Sequence, residues 1–323
     1  MAVHPDGWCV RQADPVRALV TAEFTASGER RLEALGYVVT RAGWGTTRQA
    51  LDREAYVAAA RGAELLVTEI EVVDAEVLDR LPDVRVVATA RGGPVNVDLE
   101  ACAARGIPVL STPGRNAASV ADFTMGLLLS LCRGIAGGER HLREDGWHVD
   151  GELPYLHFRG PELAGRTLGL VGLGAVGRLV QQRARDGFGM QVLFTDPVVE
   201  GGLELDALLS RCDVVSLHCP RTTATRGLLD ARRLALLPRG AYVLNTAGGG
   251  CVDEQALVAA LESGHLGGAA LDVFAVEPLP RDSALLRAPR LLLTPHLAGA
   301  ADDVVRHHTD QICLGLERLH GHL

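Results

Sequence analysis

The sequence predicts an α/β protein with two domains, each built around a parallel sheet. Short runs rich in aliphatic and β-branched residues alternate with segments of helical spacing along the whole chain. Such alternation is typical of parallel sheets that carry helices on both faces. The runs fall into two series with a long helical stretch between them, and a length of 323 residues suits about two domains.

The predicted strands form the two series. The first series consists of VRALVT (16–21), YVVT (37–40), ELLVT (64–68), VRVVAT (84–89) and IPVLS (107–111). The second series consists of TLGLVG (167–172), QVLFTD (191–196), DVVSLH (213–218), AYVLNT (241–246), GGAALDV (267–273) and RLLLTP (290–295). We expect each series to form one sheet, because successive β–α–β units add strands to the same sheet.

Two further helical segments lie outside these units. In the first, 116–147, apolar residues recur at helical spacing from Val120 to about Ile135. This segment is apolar on more sides than a surface helix, so it is either buried between the domains or part of a homodimer interface. The second, 301–319, ends the chain, and we expect it to return to the first domain.

Composition excludes several classes of function. A net charge of −8 and an aromatic content of 4% argue against a nucleic-acid surface, which needs basic patches and stacking rings. All 32 cationic residues are arginine, so no lysine is present for a Schiff base or a phosphate-binding P-loop. The seven cysteines are scattered and form no C-x-x-C motif, which indicates a reducing compartment and no metal site.

The apolar pattern also indicates where the protein works. The first residues show no charged stretch followed by an apolar one, so no signal peptide is predicted. The longest apolar run, 123–132, is about half as long as a membrane span. We therefore expect a soluble, cytoplasmic protein that does not bind a membrane.

The glycine-rich run GLGAVG (172–177) directly follows the predicted strand 167–171 and precedes a helix. Gly172 permits a tight turn, Gly174 lets a pyrophosphate approach the backbone, and Gly177 lets the helix pack closely on the strand. The N-terminus of the helix would add N–H groups and positive partial charge for the phosphates. The context of strand, turn and helix makes this a predicted dinucleotide site.

Asp196 ends the next predicted strand, 19 residues after Gly177. A carboxylate at this spacing can accept hydrogen bonds from the hydroxyls of the adenosine ribose, and it would repel a 2′-phosphate. The prediction is therefore NAD as the cofactor, in preference to NADP. The alternative is a plain glycine turn in which Asp196 serves only as a cap.

The chain resembles the D-isomer-specific 2-hydroxyacid dehydrogenase family, most closely from about Val84 to Gly299. The motifs that carry the resemblance are GLVGLGAVGR (169–178), SLHCPRTTATRGLL (216–229), LNTAGGGCVDEQAL (244–257), GGAALDVFAVEPLP (267–280) and LLLTPHLAG (291–299). The resemblance implies a Rossmann NAD-binding domain, 114–298, inserted into a flavodoxin-like substrate domain made of 1–113 and 299–323. It also implies a homodimer.

The resemblance assigns the catalytic pair. His296 would be the acid/base that exchanges a proton with the substrate hydroxyl or carbonyl, and Glu277 would hydrogen-bond the imidazole and favour its protonated form. The chemistry supports this pair independently, because an alcohol carbon that loses a hydride needs a base for its hydroxyl proton. Taken singly, His296 could be an ordinary residue at a strand end and Glu277 an ordinary turn residue.

The resemblance also implies a set of cofactor contacts. They are Val120, Gly172, Gly174, Ala175, Val176, Gly177, Asp196, Cys219, Pro220, Thr225, Thr246, Ala247, Gly248, Asp272, His296 and Gly299. Within this set, Thr246 and Ala247 lie under the nicotinamide, Val120 packs on it, and Asp272 binds its carboxamide.

The run of three glycines, 248–250, could be a phosphate cradle, a hinge or the place of a missing side chain. In the family, the position of Gly248 is an arginine that clamps the substrate carboxylate. Loss of one such donor typically costs about 2.7–4 kcal/mol of transition-state stabilisation. We hypothesise that Arg91 takes over part of the anion binding, with Arg115 as a second candidate. The predicted substrate-binding residues are Arg91, Gly92, Gly93, Asn96 and Arg115.

The predicted function is an NAD-dependent oxidoreductase that acts on a small anionic substrate, a 2-hydroxy or 2-keto acid, including acids with a second anionic group. The alternative is a catalytically impaired NAD(H)-binding sensor or interaction protein of the same fold. His296 and Glu277 favour the enzyme, whereas Gly248 favours the alternative. An altered reaction on a non-carboxylate substrate fits both observations less economically.

Overall fold

A computed structural model describes residues 16–321 of the chain. The chain divides into two compact units. Unit 1 comprises the described residues up to Arg115 and from Asp302 onward, and unit 2 comprises Asn116–Ala301. Unit 2 is therefore one uninterrupted segment inserted into unit 1.

Unit 1 contains a five-stranded parallel sheet. Its strands are β1 (Val16–Val20), β2 (Tyr37–Arg41), β3 (Ala63–Thr68), β4 (Val86–Thr89) and β5 (Val109–Leu110). The strand order is β2-β1-β3-β4-β5. This is the flavodoxin-like order, in which the chain turns back at the first strand.

Short helices connect these strands. They are α1 (Ala26–Ala34), α2 (Trp44–Thr47), α3 (Arg53–Ala60), α4 (Ala75–Asp79) and α5 (Leu99–Ala104). Side chains just before four of the helices accept a backbone hydrogen bond from the first turn, and these caps are Thr25, Asp52, Asp74 and Asp98. Such caps satisfy N–H groups that the helix itself leaves without a partner, so they fix where each helix begins.

Unit 2 contains a six-stranded parallel sheet. Its strands are β6 (Thr167–Val171), β7 (Gln191–Thr195), β8 (Val214–Leu217), β9 (Tyr242–Asn245), β10 (Gly268–Leu271) and β11 (Leu291–Leu293). The strand order is β11-β10-β9-β8-β6-β7. The order reverses beside β6, and ligands of such sheets bind beyond the carboxyl ends of the strands at this point.

The helices of unit 2 lie on both faces of its sheet. They are α6 (Ala117–Cys132), α7 (Ile135–Glu144), α8 (Pro154–His157), α9 (Ala175–Gln182), α10 (Leu205–Leu209), α11 (Ala231–Leu234) and α12 (Glu254–Glu262). A π-helical turn, Arg183–Gly187, continues α9, and a 3₁₀ turn covers Ala284–Arg287. The final helix, α13 (Asp303–His320), packs against α1 in unit 1.

Each sheet has an apolar cluster on each face. In unit 1, adjacent residues of β3 contribute to opposite clusters, Leu65 to one and Leu66 to the other. In unit 2, Leu170 and Leu217 likewise belong to different clusters. Strands buried on both faces are nearly continuous apolar runs, which explains why the sequence pattern located them. The predicted fold class, two parallel-sheet α/β domains, is confirmed.

The long helical segment differs from the prediction. The apolar spacing from Val120 to about Ile135 predicted one helix, but the chain forms α6 and α7, bent by 60° at the break between them. Gly134 lies in the break with a φ of 63°, a left-handed conformation that interrupts a helix. Among the described residues, no single helix is long and apolar enough to cross a membrane, although α6 and α7 together meet the length and composition.

Candidate active site

The glycine-rich turn joins β6 to α9. Gly172 has a φ of 98°, and a Cβ there would lie 2.8 Å from the carbonyl group of His218. A Cβ on Gly177 would lie 2.3 Å from the Gly172 carbonyl oxygen. The backbone therefore requires glycine at both positions, at the first for the turn and at the second for close packing of the helix. At Gly174 no atom lies within 4 Å of the Cβ position, so this face is open.

The N-terminus of α9 offers backbone donors beside that open face. No side chain caps the helix, and Arg178 N–H donates to the Gly174 carbonyl at 3.0 Å. The N–H groups of Ala175, Val176 and Gly177 have no acceptor within the helix. These N–H groups and the helix dipole favour an anion, so the turn fits the diphosphate of a dinucleotide.

Asp196 holds this turn together. Its Oδ2 accepts a hydrogen bond from Leu173 N–H at 2.7 Å, and its Oδ1 accepts from the N–H groups of Val198 and Val199 at 2.9 and 3.1 Å. The bonds from Leu173 and Val198 hold the pKa of Asp196 below its usual value. The carboxylate is therefore a turn cap and carries a full negative charge at neutral pH, while its contact with a ribose stays a prediction.

The loop after β8 contains the predicted contacts Cys219, Pro220 and Thr225. Thr225 Oγ1 donates to the Pro220 carbonyl at 2.7 Å and accepts from Thr222 N–H at 2.8 Å, which closes the loop on itself. Burial and the neighbouring Cys251 raise the pKa of Cys219 to about 12. Cys219 is therefore a neutral thiol at physiological pH.

The segment after β9 is shaped by Asn245, to which the sequence analysis gave no role. Its Oδ1 accepts from the N–H groups of Ala247 and Gly248 at 3.1 and 3.3 Å, and its Nδ2 donates to the Gly248 carbonyl at 3.0 Å. Thr246 Oγ1 forms a hydrogen bond with Thr124 Oγ1 of α6 at 2.9 Å. Because Asn245 is buried, these bonds fix the backbone of the segment.

Two other predicted cofactor contacts lie at the start of α6 and after β11. Val120 is buried, and its carbonyl accepts from Thr124 Oγ1 at 2.7 Å. A Cβ on Gly299 would lie 2.9 Å from Asn116 Nδ2, so this glycine permits a close approach. The contacts of Val120 and Gly299 with a cofactor stay predictions.

His296 and Glu277 are in contact. His296 Nδ1 lies 2.8 Å from Glu277 Oε2, and Glu277 Oε1 accepts from Phe274 N–H at 2.9 Å. Burial raises the pKa of Glu277, but the bonds from His296 and Phe274, with the charge of Arg221, outweigh it, so this pKa lies below its usual value. The ionised carboxylate holds the ring with its Nδ1–H pointing at Glu277, and Nε2 is then available for a proton.

Asp272 fixes the segment that carries His296. Its buried carboxylate accepts from Thr294 Oγ1 at 2.6 Å and from the N–H groups of Leu297 and Ala298 at 2.7 and 2.8 Å. Its carbonyl accepts from His296 N–H at 2.9 Å. His296 has a φ of 56°, a left-handed conformation that is uncommon for residues other than glycine. Strained backbone of this kind is often found at active sites, and here Asp272 holds it in place. The carboxamide contact predicted for Asp272 stays a prediction.

The three consecutive glycines differ in why they are glycine. A Cβ on Gly249 would lie 1.7 Å from the Phe274 carbonyl oxygen, and Gly250 has a φ of 82°. Gly248 has neither constraint, because the atom nearest to its Cβ position is Arg221 Cβ at 3.0 Å. Position 248 is thus the one of the three where the backbone does not require glycine, although a Cβ there would be crowded by Arg221.

A cavity of about 510 Å³ lies beside these groups. It is lined by Ala247, Gly248, Glu277 and His296, and also by Arg221, which the sequence analysis did not assign to the site. β8 and β9 are neighbours in the sheet, so the loops that follow them lie side by side, and this topology could have placed Arg221 next to Gly248. A larger cavity of about 830 Å³ elsewhere in unit 2 is lined by none of the predicted site residues.

The predicted substrate loop lies in unit 1 and follows β4. It contains Arg91, Gly92, Gly93 and Asn96. Asn96 is buried, its Nδ2 donates to the Glu71 carbonyl at 3.0 Å, and its Oδ1 accepts from Thr89 Oγ1 at 3.1 Å. No atom lies within 4 Å of a Cβ position on Gly93. Asn96 therefore organises the loop from within, and Gly93 leaves its backbone open.

The two arginines of unit 1 that were predicted to bind the substrate, Arg91 and Arg115, have partners within that unit. Arg91 Nη1 donates to the Glu69 carbonyl at 3.3 Å. Arg115 Nη1 lies 3.0 Å from Glu69 Oε1 and 2.9 Å from His308 Nδ1. Burial, ahead of several weaker influences, lowers the pKa of His308. The charge of Arg115 is thus paired with a largely buried carboxylate, which makes it less free to bind a substrate.

Comparisons with known proteins agree with this architecture. The model of the family described as "D-isomer specific 2-hydroxyacid dehydrogenase, NAD binding domain" matches residues 125–298. The putative 2-hydroxyacid dehydrogenase YoaD of Bacillus subtilis is 34% identical over 313 residues, which cover 94% of this chain and 90% of that protein.

Two further comparisons extend the match. D-3-phosphoglycerate dehydrogenase of Mycobacterium tuberculosis is 41% identical over 270 residues, which cover 80% of this chain but 50% of that longer protein. The crystal structure of the TT0316 protein from Thermus thermophilus superposes with a TM-score of 0.77 at 38% identity and covers 92% of this chain and 94% of its own.

Proposed function

The chain belongs to the D-isomer specific 2-hydroxyacid dehydrogenase family, an NAD(P)-dependent family of hydroxyacid oxidoreductases, and from this premise we propose its cofactor and substrate. The cofactor is NAD. The substrate is a small 2-hydroxy or 2-keto acid, including acids with a second anionic group. The predicted homodimer and cytoplasmic location stay predictions.

Residues of unit 2 would hold the cofactor. The open backbone at Gly174 and the N–H groups at the start of α9 suit its diphosphate, and the Asp196 carboxylate suits an unmodified ribose. The fixed segment Thr246–Gly248 lies at the carboxyl end of β9, next to the cavity with His296. When bound, the nicotinamide accepts a hydride from carbon 2 of the hydroxy acid or returns it to the keto acid.

His296 would accept or donate the proton in the same reaction. As the C–H bond breaks and its electron pair leaves, the hydroxyl proton passes to His296 Nε2 and the C–O bond becomes a carbonyl. In reduction, protonated His296 gives this proton to the carbonyl oxygen. Glu277 orients the ring through Nδ1 and stabilises the positive charge that forms on it.

The contact between His296 and Glu277 is the observation that carries this proposal. The two residues are 19 positions apart, yet their side chains meet at 2.8 Å, and the imidazole lines the cavity with 63% of its side-chain surface exposed. A histidine that is held by one ring nitrogen to a carboxylate and that lines a cavity is suited to acid/base catalysis.

The test is NADH oxidation, followed by absorbance, with a panel of 2-keto acids. We expect turnover by the wild type and a loss of about 10²- to 10⁴-fold in kcat for His296→Gln, because proton transfer by a positioned side chain contributes this much. NADH binding should not change. His148→Gln, which replaces an exposed histidine of unit 2, is the matched control. Full activity of His296→Gln contradicts the mechanism, and tight NADH binding with no turnover on any acid supports the sensor instead.

A further inference from the structure

We infer that Arg221 supplies the cation that binds the substrate carboxylate in the cavity beside His296, in place of a side chain at position 248. This inference rests on the proposed function, because it takes a small 2-hydroxy or 2-keto acid as the substrate. It assigns to the loop after β8 the anion binding that the sequence suggested for Arg91 and Arg115.

The position of Arg221 is the first argument. Its Cβ and Cα lie 3.0 and 3.5 Å from where a Cβ on Gly248 would stand. A side chain at 248 would have to share this space with Arg221. Arg221 therefore starts within contact distance of position 248, from which its long side chain can serve the same cavity.

The surroundings of Arg221 are the second argument. Arg221 is the only arginine among the residues that line the cavity with His296 and Glu277. Within residues 16–321, its side chain has no hydrogen bond and no ion pair, and its charge acts on the nearby Glu277 carboxylate. Both oxygens of the Glu277 carboxylate are already engaged, by His296 and by Phe274 N–H. The guanidinium is therefore free to bind another carboxylate, whereas Arg115 is paired with Glu69.

The chemistry of the group is the third argument. A guanidinium binds a carboxylate through two parallel N–H···O bonds, which fix the position of the bound acid as well as attract it. In a 2-keto acid, the carbonyl that takes the hydride is bonded directly to the carboxylate carbon. A carboxylate held by Arg221 in this cavity thus places the carbonyl group near the imidazole that protonates it.

The experiment compares the two exposed arginines of one loop in the full-length protein. Arg226 has the same charge and does not line the cavity, so Arg226→Ala is the matched control for Arg221→Ala. With NADH and glyoxylate or hydroxypyruvate, we expect Arg221→Ala to lower kcat/KM by about 10²- to 10³-fold, chiefly through KM. Arg226→Ala should stay within about twofold of the wild type. Arg221→Lys should recover part of the loss, since it keeps the charge but not the fork.

A second pair of variants tests the relation to position 248. In the wild type, Gly248→Arg should give no gain, because Arg221 already supplies the cation from the adjoining position. In the Arg221→Ala background, the same Gly248→Arg change should raise kcat/KM at least tenfold, since it supplies the missing cation from the adjoining position. A large gain from Gly248→Arg in the wild type would contradict the inference.

The outcomes separate this inference from the proposed function. If the wild type turns over 2-keto acids and His296→Gln does not, but Arg221→Ala behaves like Arg226→Ala, then Arg221 is not the anion site and the function stands. If no acid is turned over, the proposed function fails, and oxalate binding to the NADH complex still decides the role of Arg221. Weaker oxalate binding by Arg221→Ala, with NADH affinity unchanged, supports the site, and unchanged oxalate binding rules it out.

Discussion

Two glycine-rich segments of unit 2 look alike in sequence and differ in what the glycines do. In 172–177, Gly172 and Gly177 are required by the backbone, and the Cβ position of Gly174 faces open space. In 248–250, Gly249 and Gly250 are required by the backbone, whereas Gly248 borders the side chain of Arg221. The comparison teaches that a glycine run is explained only position by position, since turn geometry, close packing and ligand access each select the same residue.

The largest expected effect is a difference in stability between variants of two neighbouring glycines, Gly249 and Gly248. Gly249→Ala should destabilise the protein by about 3 kcal/mol or more, because its Cβ would stand 1.7 Å from the Phe274 carbonyl oxygen and the backbone would have to shift. Gly248→Ala should change the free energy of unfolding by no more than about 1 kcal/mol, since no atom lies closer than 3.0 Å to its Cβ position and a small shift relieves the contact with Arg221 Cβ. Urea unfolding of the two variants measures the difference. Equal stabilities would contradict the explanation given for the run.

An intermediate effect, on the pH dependence of stability, comes from His218, which packs against the segment 172–177. Its Nδ1 is buried without a hydrogen-bond partner, its Nε2 lies 2.9 Å from Ser216 Oγ, and burial lowers its pKa from 6.5 to about 4. Between these two pH values the unfolded chain takes up a proton that the folded state excludes. Stability should therefore fall as the pH is lowered from about 6.5 to about 4, by up to about 3 kcal/mol from this group.

The variant His218→Gln isolates this contribution. The free energy of unfolding of the variant should depend less on pH across the same window, whatever its absolute value. Because His308 in unit 1 also has a lowered pKa, caused mainly by burial, the wild-type slope is not due to His218 alone. Parallel slopes for wild type and variant would show that His218 is not the group responsible.

The smallest expected effect is on coenzyme preference, and it comes from the charge of Asp196 beside the segment 172–177. Asp196→Asn removes a negative charge but keeps the shape of the side chain, so the ratio of kcat/KM for NADPH to that for NADH should rise about tenfold. Glu200→Gln removes one negative charge from an exposed site on the same loop and is the matched control, with little change expected. A ratio that moves equally in both variants would mean that Asp196 does not select the cofactor.

Much of the fold could be predicted because it depends on local patterns. The buried strands are apolar runs, and the turn after β6 has the spacing that its backbone contacts require. The break between α6 and α7 escaped prediction, since the apolar spacing continues past the point where Gly134 adopts a left-handed conformation. Local periodicity reports which face of a helix is buried but not where the helix changes direction.

The candidate site was predicted in part, for a similar reason. His296 and Glu277 were found through motifs, and their contact follows from segments that end neighbouring strands of one sheet. The proximity of Arg221 to Gly248 depends on packing between two loops, and no spacing within either loop encodes it. Asn245 and Asp272 act through hydrogen bonds to backbone groups, which the residue sequence alone does not show.

The continuity of unit 2 has a consequence for protein engineering. Asp196, Arg221, Glu277 and His296 all lie within Asn116–Ala301, which is a single stretch of chain. A chimera that exchanges only this stretch with a relative, through two splice junctions, would transfer together the residues proposed to select the coenzyme, to exchange the proton and to bind the substrate carboxylate. The loop with Arg91 and Asn96 would remain with the host protein. The substrate specificity of such a chimera would therefore show how much of it is determined by unit 1 and how much by unit 2.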